Sequence, residues 1–172
     1  TQRVGLTDVT IRYSRPSMKD REIFGNVVPF DELWRAGANM CTRISFSNDV
    51  MFADTKVKAG TYSVFFIPKN PEWTFILNSD TTLRGTSGYD SLKDVLRVNV
   101  DAMPAQMLQE TMTFDINQIR DTGATIVMSW AEMITQIPFS VNDKALAMKN
   151  IKAAIKALKE GEYRPYMNAA SY

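Results

Sequence analysis

The chain has 172 residues, 45% of them hydrophobic, enough to bury one good core. Twenty basic residues against nineteen acidic ones leave a formal charge of +1, which gives no electrostatic case for nucleic acid or an anionic membrane as partner. With no histidine, the Ser-His-Asp and Cys-His mechanisms, His-ligated zinc and an imidazole switch are all excluded, and the single Cys41 cannot form an internal disulfide.

The first residues, Thr1-Gln2-Arg3-Val4-Gly5, show no signal peptide. Two expectations follow: a cytosolic protein, or the mature end of an exported one. From Val9 to Tyr13, apolar Val9, Ile11 and Tyr13 alternate with Thr10 and Arg12, the period-two mark of a half-buried strand.

Tyr13 to Asn39 then sustains neither helical nor strand periodicity. It carries Arg15, Arg21, Trp34, Arg35 and Asn39 among two prolines and two glycines. Such loops satisfy their backbone through turns and side chains, and often carry function. Guanidinium forks suit carboxylates, phosphates or sugar hydroxyls, and an indole offers a flat apolar face. These five side chains are therefore the candidate binding site for a glycan or a small acidic ligand. The competing reading is structural: the arginines pin carbonyls or pair with Asp20, Glu22, Asp31 and Glu32, while Trp34 plugs the core.

Strands are predicted next at Thr42 to Phe46, Val50 to Phe52 and Lys56-Val57, with turns at Asn48-Asp49 and Ala53-Asp54. Thr61 to Ile67 is apolar on both faces, as a central strand should be, and Pro68 stops it by removing a donor. Its core, Val64-Phe65-Phe66-Ile67, is the longest strongly apolar run and falls far short of the roughly 20 residues that span a bilayer. Cys41, at the entry to a strand, reads as a small buried core residue. Pro71-Glu72 opens a strand that places Trp73, Phe75 and Leu77 on one face. Four more strands are predicted at Val95 to Val100, Leu108 to Ile116, Thr125 to Trp130 and Ile134 to Phe139, with Asp121-Thr122-Gly123 as a turn. Many short strands separated by turns point to a mainly β fold, an antiparallel β-sandwich or jelly-roll-like domain over residues 1–140.

The pattern changes after Ser140. Asn142 or Asp143 caps a helix whose Met148, Ile151, Ile155 and Leu158 form an apolar stripe beside Lys149, Lys152, Lys156 and Lys159. Gly161 ends it and Pro165 opens a second helix, so residues 141–172 are expected to be a helical hairpin, the start of a helical repeat. The stripe offers a route to a homo-oligomer.

Other features carry less. Gly85-Thr86-Ser87-Gly88 lacks the lysine and helix of a phosphate loop and reads as a surface turn. Asn48, Asp49 and Asp54 fit turn chemistry better than calcium binding. Asp94 and Arg97, after Tyr89-Asp90, suggest a local ion pair. Glu110 and Asp115 fall on opposite faces of one strand, which argues against paired carboxylate catalysis. The ten methionines read as adaptable core filler rather than copper ligands. No metal site and no cofactor are expected.

Several strings together resemble the DUF2911 family, a domain of unknown function found mainly in Bacteroidetes. They are Tyr13-Ser14-Arg15-Pro16, Arg21-Glu22-Ile23-Phe24-Gly25, Val28-Pro29-Phe30, Trp34-Arg35-Ala36-Gly37-Ala38-Asn39, Ala59-Gly60-Thr61-Tyr62-Ser63 and Trp73-Thr74-Phe75-Ile76-Leu77-Asn78. The similarity covers about residues 3–140. It implies a β-rich domain that is usually exported, with helical tails in some members, and it implies no activity. The chain departs from the family at Asp20 and at Ala53-Asp54, where relatives commonly carry glycine. The resulting expectation is a non-catalytic periplasmic or secreted module that binds a glycan, small ligand or envelope protein. The alternative is a histidine-free hydrolase using carboxylates with arginine as stabiliser.

Overall fold

A computed structural model describes residues 1–70 and 72–157. Its strands are β1 (Gln2–Val4), β2 (Thr7–Arg12), β3 (Arg43–Phe46), β4 (Val50–Phe52), β5 (Thr55–Val57), β6 (Gly60–Ile67), β7 (Glu72–Asn78), β8 (Asp94–Arg120) and β9 (Gly123–Val141). A 3-10 turn at Ser91–Lys93 leads into β8, and a helix, α1 (Asp143–Lys156), follows β9. The strands form one antiparallel sheet in the order β1-β2-β3-β6-β7-β8-β9-β4-β5. The fold is mainly β.

The apolar run in β6 sits where its two-faced pattern requires. Val64 and Phe66 join the main core, while Phe65 projects to the other face and packs with Ile76 of β7 and Cys41 in a second, smaller cluster. Strand β7 alternates in the same way, with Trp73, Phe75 and Leu77 in the main core. Pro71, read as the opening signal for β7, lies outside the described residues. Cys41 is buried, and its Sγ–H donates to the Gly85 carbonyl at 3.4 Å.

The main core is aromatic and joins strands that are not neighbours in the sheet. Phe46 of β3 contacts Phe139 of β9 at 6.0 Å between ring centroids, and Phe52 of β4 contacts Phe75 of β7 at 5.9 Å. The sheet therefore folds over on itself, with these rings between its two halves. Burying each ring contributes about 1.5–3 kcal/mol, and tilted or edge-to-face pairs add to that.

Two corrections concern β8 and β9. The four strands predicted after Val95 are two long ones, of 27 and 19 residues. The expected breaks are bulges. Between the pairs Pro104↔Met133 and Gln109↔Ala131, β8 advances five residues while β9 advances two, and Ala131 takes φ +49°. A bulge bends the ladder without ending it. The short strand β1 was not anticipated.

The contacts divide the chain into Thr1–Val141 and a unit beginning at Asn142. In that second unit the Asn142 side chain accepts from Ala145 N at 3.1 Å, the predicted cap of α1. Met148 is exposed, and Ile151 and Ile155 are half-buried. The described helix ends at Lys156; Leu158, Gly161 and the second helix expected from Pro165 lie outside the described residues. No helix among the described residues is long and apolar enough to cross a membrane.

Candidate functional site

The irregular segment from Tyr13 to Asn39 turns repeatedly through left-handed backbone. Lys19, Asp20, Asp31, Ala36 and Asn39 all have φ between +49° and +63°. Its first part runs along the free edge of β8. Ser17 bridges Thr111, Met18 N donates to the Glu110 carbonyl at 2.8 Å, and Met112 N donates to the Pro16 carbonyl at 3.0 Å. The Tyr13 hydroxyl accepts from Phe114 N at 3.0 Å. The loop thus covers an edge that would otherwise present unpaired backbone groups.

Two of the three candidate arginines are engaged in holding this segment. Arg15 Nε donates to the Met112 carbonyl at 3.2 Å. Arg21 donates through Nε to the Met18 carbonyl and through Nη2 to the Ser17 carbonyl, each at 2.8 Å. Both side chains remain on the surface. Asn39 is exposed as well, and its Nδ2 lies 3.5 Å from Ser14 Oγ.

Trp34 exchanges backbone hydrogen bonds with Phe66 at 2.7 and 2.9 Å, continuing the line of β3 beside β6. Extended backbone sends neighbouring side chains to opposite faces. The Trp34 ring accordingly enters the main core, stacked on Trp130 at 5.9 Å with an 18° interplanar angle. Leu33 packs with the second cluster on the other face. Arg35 goes with Leu33: Nη1 lies 3.7 Å from where a Cβ on Gly85 would sit, and its charge partly offsets the burial that pushes the Cys41 thiol up. The structure therefore brings Asn39 beside Ser14, ties Arg15 to β8 and Arg21 to its own turn, and parts Trp34 from Arg35 across β6.

Beside the second cluster lies a closed polar network. Arg97 Nε meets Asp94 Oδ2 at 2.7 Å, the ion pair suggested by the sequence. The Tyr89 hydroxyl donates to the same oxygen at 2.6 Å, and Asn78 Nδ2 donates to Asp94 Oδ1 at 2.8 Å. Burial, then the bond to Asp94, pushes the Tyr89 phenol up to about 12. Both Asp94 oxygens are occupied, so the network clamps the loop between β7 and β8. Asp49 does comparable work in its turn, accepting from Ala59 N at 2.9 Å and pairing with Lys56 at 2.8 Å. Among the described residues no group of three or more Cys, Asp or Glu side chains could hold a metal ion.

Sequence reasoning missed one surface. The bulge in β8 exposes Met107 to 81% and Leu108 to 65%. Beside them a cleft of about 380 Å³ is lined by Met103, Met107, Gln106, Gln109, Ser129 and Ile134 among others. From Ala102 to Gln109 there is no charged residue. That uncharged, proline-containing stretch is the available signal, and it falls largely between the strands predicted at Val95 to Val100 and Leu108 to Ile116.

Comparison with characterised proteins and with solved structures gave no match. A family model described as a protein of unknown function (DUF2911) matches residues 1–139, the β-rich part of the chain up to the last two residues of β9. The chain belongs to the DUF2911 family.

Proposed function

We propose that this is a non-catalytic, exported module that holds an apolar segment of an envelope protein at the corner between β8 and β9. The observation that carries the reading is the exposed pair Met107 and Leu108 beside a cleft of about 380 Å³ in an uncharged stretch. Exposed apolar side chains standing singly are ordinary, but where they gather into one patch they mark contact surfaces. Methionine suits such a surface because its unbranched thioether adapts to the shape it meets. The folded-over sheet is a sandwich-like scaffold in this reading, and the paired bulges hold the corner outward. Export follows from the resemblance of the chain to a family usually found outside the cytoplasm. The hydrolase alternative would need two free carboxylates near Arg35. It is disfavoured because Asp94 is bound by Tyr89, Arg97 and Asn78, and Asp80 by Lys93.

The test places a photo-crosslinking residue at position 107 and, as a control, at Leu92, which is 93% exposed elsewhere on the chain. A discrete adduct at 107 in native envelopes, absent at 92 and lost with Leu108→Asp, is the expected result. Equal labelling at both positions, or none at 107, would overturn the proposal. An adduct of twice the chain mass would instead identify a second copy as the occupant.

A further inference from the structure

We infer that Met107 is a site of oxidative modification. Its thioether takes an oxygen atom from a hydroperoxide, and the sulfoxide closes the β8–β9 corner to an apolar partner. The described methionines differ widely in exposure. Met107 is 81% exposed, Met148 48% and Met103 38%, whereas Met112 and Met128 are fully buried in the core. The other four, Met18, Met40, Met51 and Met133, are half-buried. A dissolved peroxide reacts with sulfur only where it can reach it, so Met107 stands first in line. Met103, lining the same cleft, is the second sulfur within reach at this corner.

The step balances without help from the protein. A sulfur lone pair attacks one peroxide oxygen and the O–O bond breaks. The departing hydroxide takes the proton from the transferred oxygen and leaves as water. The thioether is oxidised by two electrons and the peroxide is reduced by two. The consequence follows from what surrounds the side chain. Leu108 is 65% exposed beside it, and no charged residue lies between Ala102 and Gln109. Such a corner attracts an apolar partner through the water shed on contact. A sulfoxide sets a strong hydrogen-bond acceptor in the middle of that surface, and covering it strips the oxygen of water. The fold itself is spared, because so exposed a side chain contributes little packing. The chemistry of the step stands on exposure alone; its consequence rests on the corner being the contact surface proposed above.

The test oxidises the intact protein with hydrogen peroxide and reads each methionine by the mass of its proteolytic peptide. Met107 should be modified about tenfold or more faster than Met112 and Met128. Retention on a phenyl resin, which stands in for an apolar partner, is followed in a Met148→Leu background, so that the exposed sulfur of α1 does not contribute. The oxidised protein should elute clearly earlier. Adding Met107→Leu, which keeps an apolar side chain of similar volume and cannot accept oxygen, should abolish most of that shift. Methionine sulfoxide reductase with a thiol reductant should restore the original retention. Modification of Met107 no faster than that of buried Met112 would overturn the site. An equal elution shift with and without Met107→Leu would overturn its consequence, as would loss of the circular dichroism of the fold once Met107 is modified. Crosslinking in envelopes can fail for want of a partner, whereas this measurement needs none, so the two failures are told apart.

Discussion

The Val141 N–H donates to the Thr122 carbonyl at 2.9 Å, joining the far end of β9 to the residue just before its start. A straight strand of 19 residues would hold its ends about 60 Å apart. The strand must therefore double back, and the bend falls where Ala131 adopts φ +49° opposite the bulge in β8. That bend folds one continuous sheet around the aromatic core, and it pushes Met107 and Leu108 outward.

The junction allows no side chain at Gly123. A Cβ there would run into the Phe139 carbonyl, a backbone atom that cannot swing aside. Gly123→Ala should destabilise the protein by roughly 2 kcal/mol, the scale of overpacking against fixed atoms. Urea unfolding measures it. An unchanged midpoint would show that the two ends of β9 separate easily.

Two left-handed turn residues make a second case. Asp20 and Ala53 have φ +58° and +46°. Left-handed backbone costs an alanine roughly 1 kcal/mol or more relative to glycine. Ala53→Gly, in the exposed turn between β4 and β5, should therefore stabilise by about 1 kcal/mol and raise Tm by about 2–4 °C. Asp20→Gly should gain less, because aspartate tolerates this region by bonding to nearby backbone. A fall in Tm for Ala53→Gly would mean that the added freedom of the unfolded chain outweighs the relief.

These turns explain which parts of the fold were legible. Strand β6 was readable because a two-faced apolar run is bounded by Gly60 and Pro68, and the turns at Asn48, Ala53 and Asp121 announced themselves chemically. The length of β8 was not readable. Pro104 and the uncharged stretch after it break the alternation, yet the pairing resumes across a bulge whose partner residues lie distant in sequence. The loop site was legible only as a list of residue types. Whether an arginine is engaged depends on where carbonyls such as those of Met112 and Met18 come to rest, and sequence does not carry that. Cys41 was the easier reading, since a small apolar-like residue beside a strand has few other places to go.

Asp80 gives a pH prediction. Lys93, then the Thr82 hydroxyl and N–H, hold its carboxyl down to about 2 from an ordinary 3.8. A carboxyl lowered on folding stabilises the native state above its unfolded value and loses that contribution as the pH falls toward the folded one. The stability advantage of the parent over Asp80→Asn should therefore be present above pH 3.8 and shrink as the pH approaches about 2. Lys93 is raised by the same contact, so its share persists through neutral pH and fades only as the pH rises through its elevated value. Urea midpoints across the acid range test the first statement. A difference that stays constant down to pH 2 would assign the acid response to another group.

Trp34 decides between the two readings of the loop. Its ring contacts Phe24, Phe66, Trp73 and Trp130 at centroid distances of 6.1, 6.0, 6.4 and 5.9 Å. A ring wedged among four others leaves a cavity when truncated, so Trp34→Ala should cost about 3 kcal/mol or more. Trp34→Phe keeps part of the ring contact and should cost less than half as much. A ring that served mainly as a ligand platform would behave in the opposite way: its removal would barely alter unfolding, and any effect would appear in binding. Chemical unfolding of both variants, followed by far-UV circular dichroism, separates the two. If Trp34→Ala costs less than about 1 kcal/mol, the ring is not what holds the loop to the sheet.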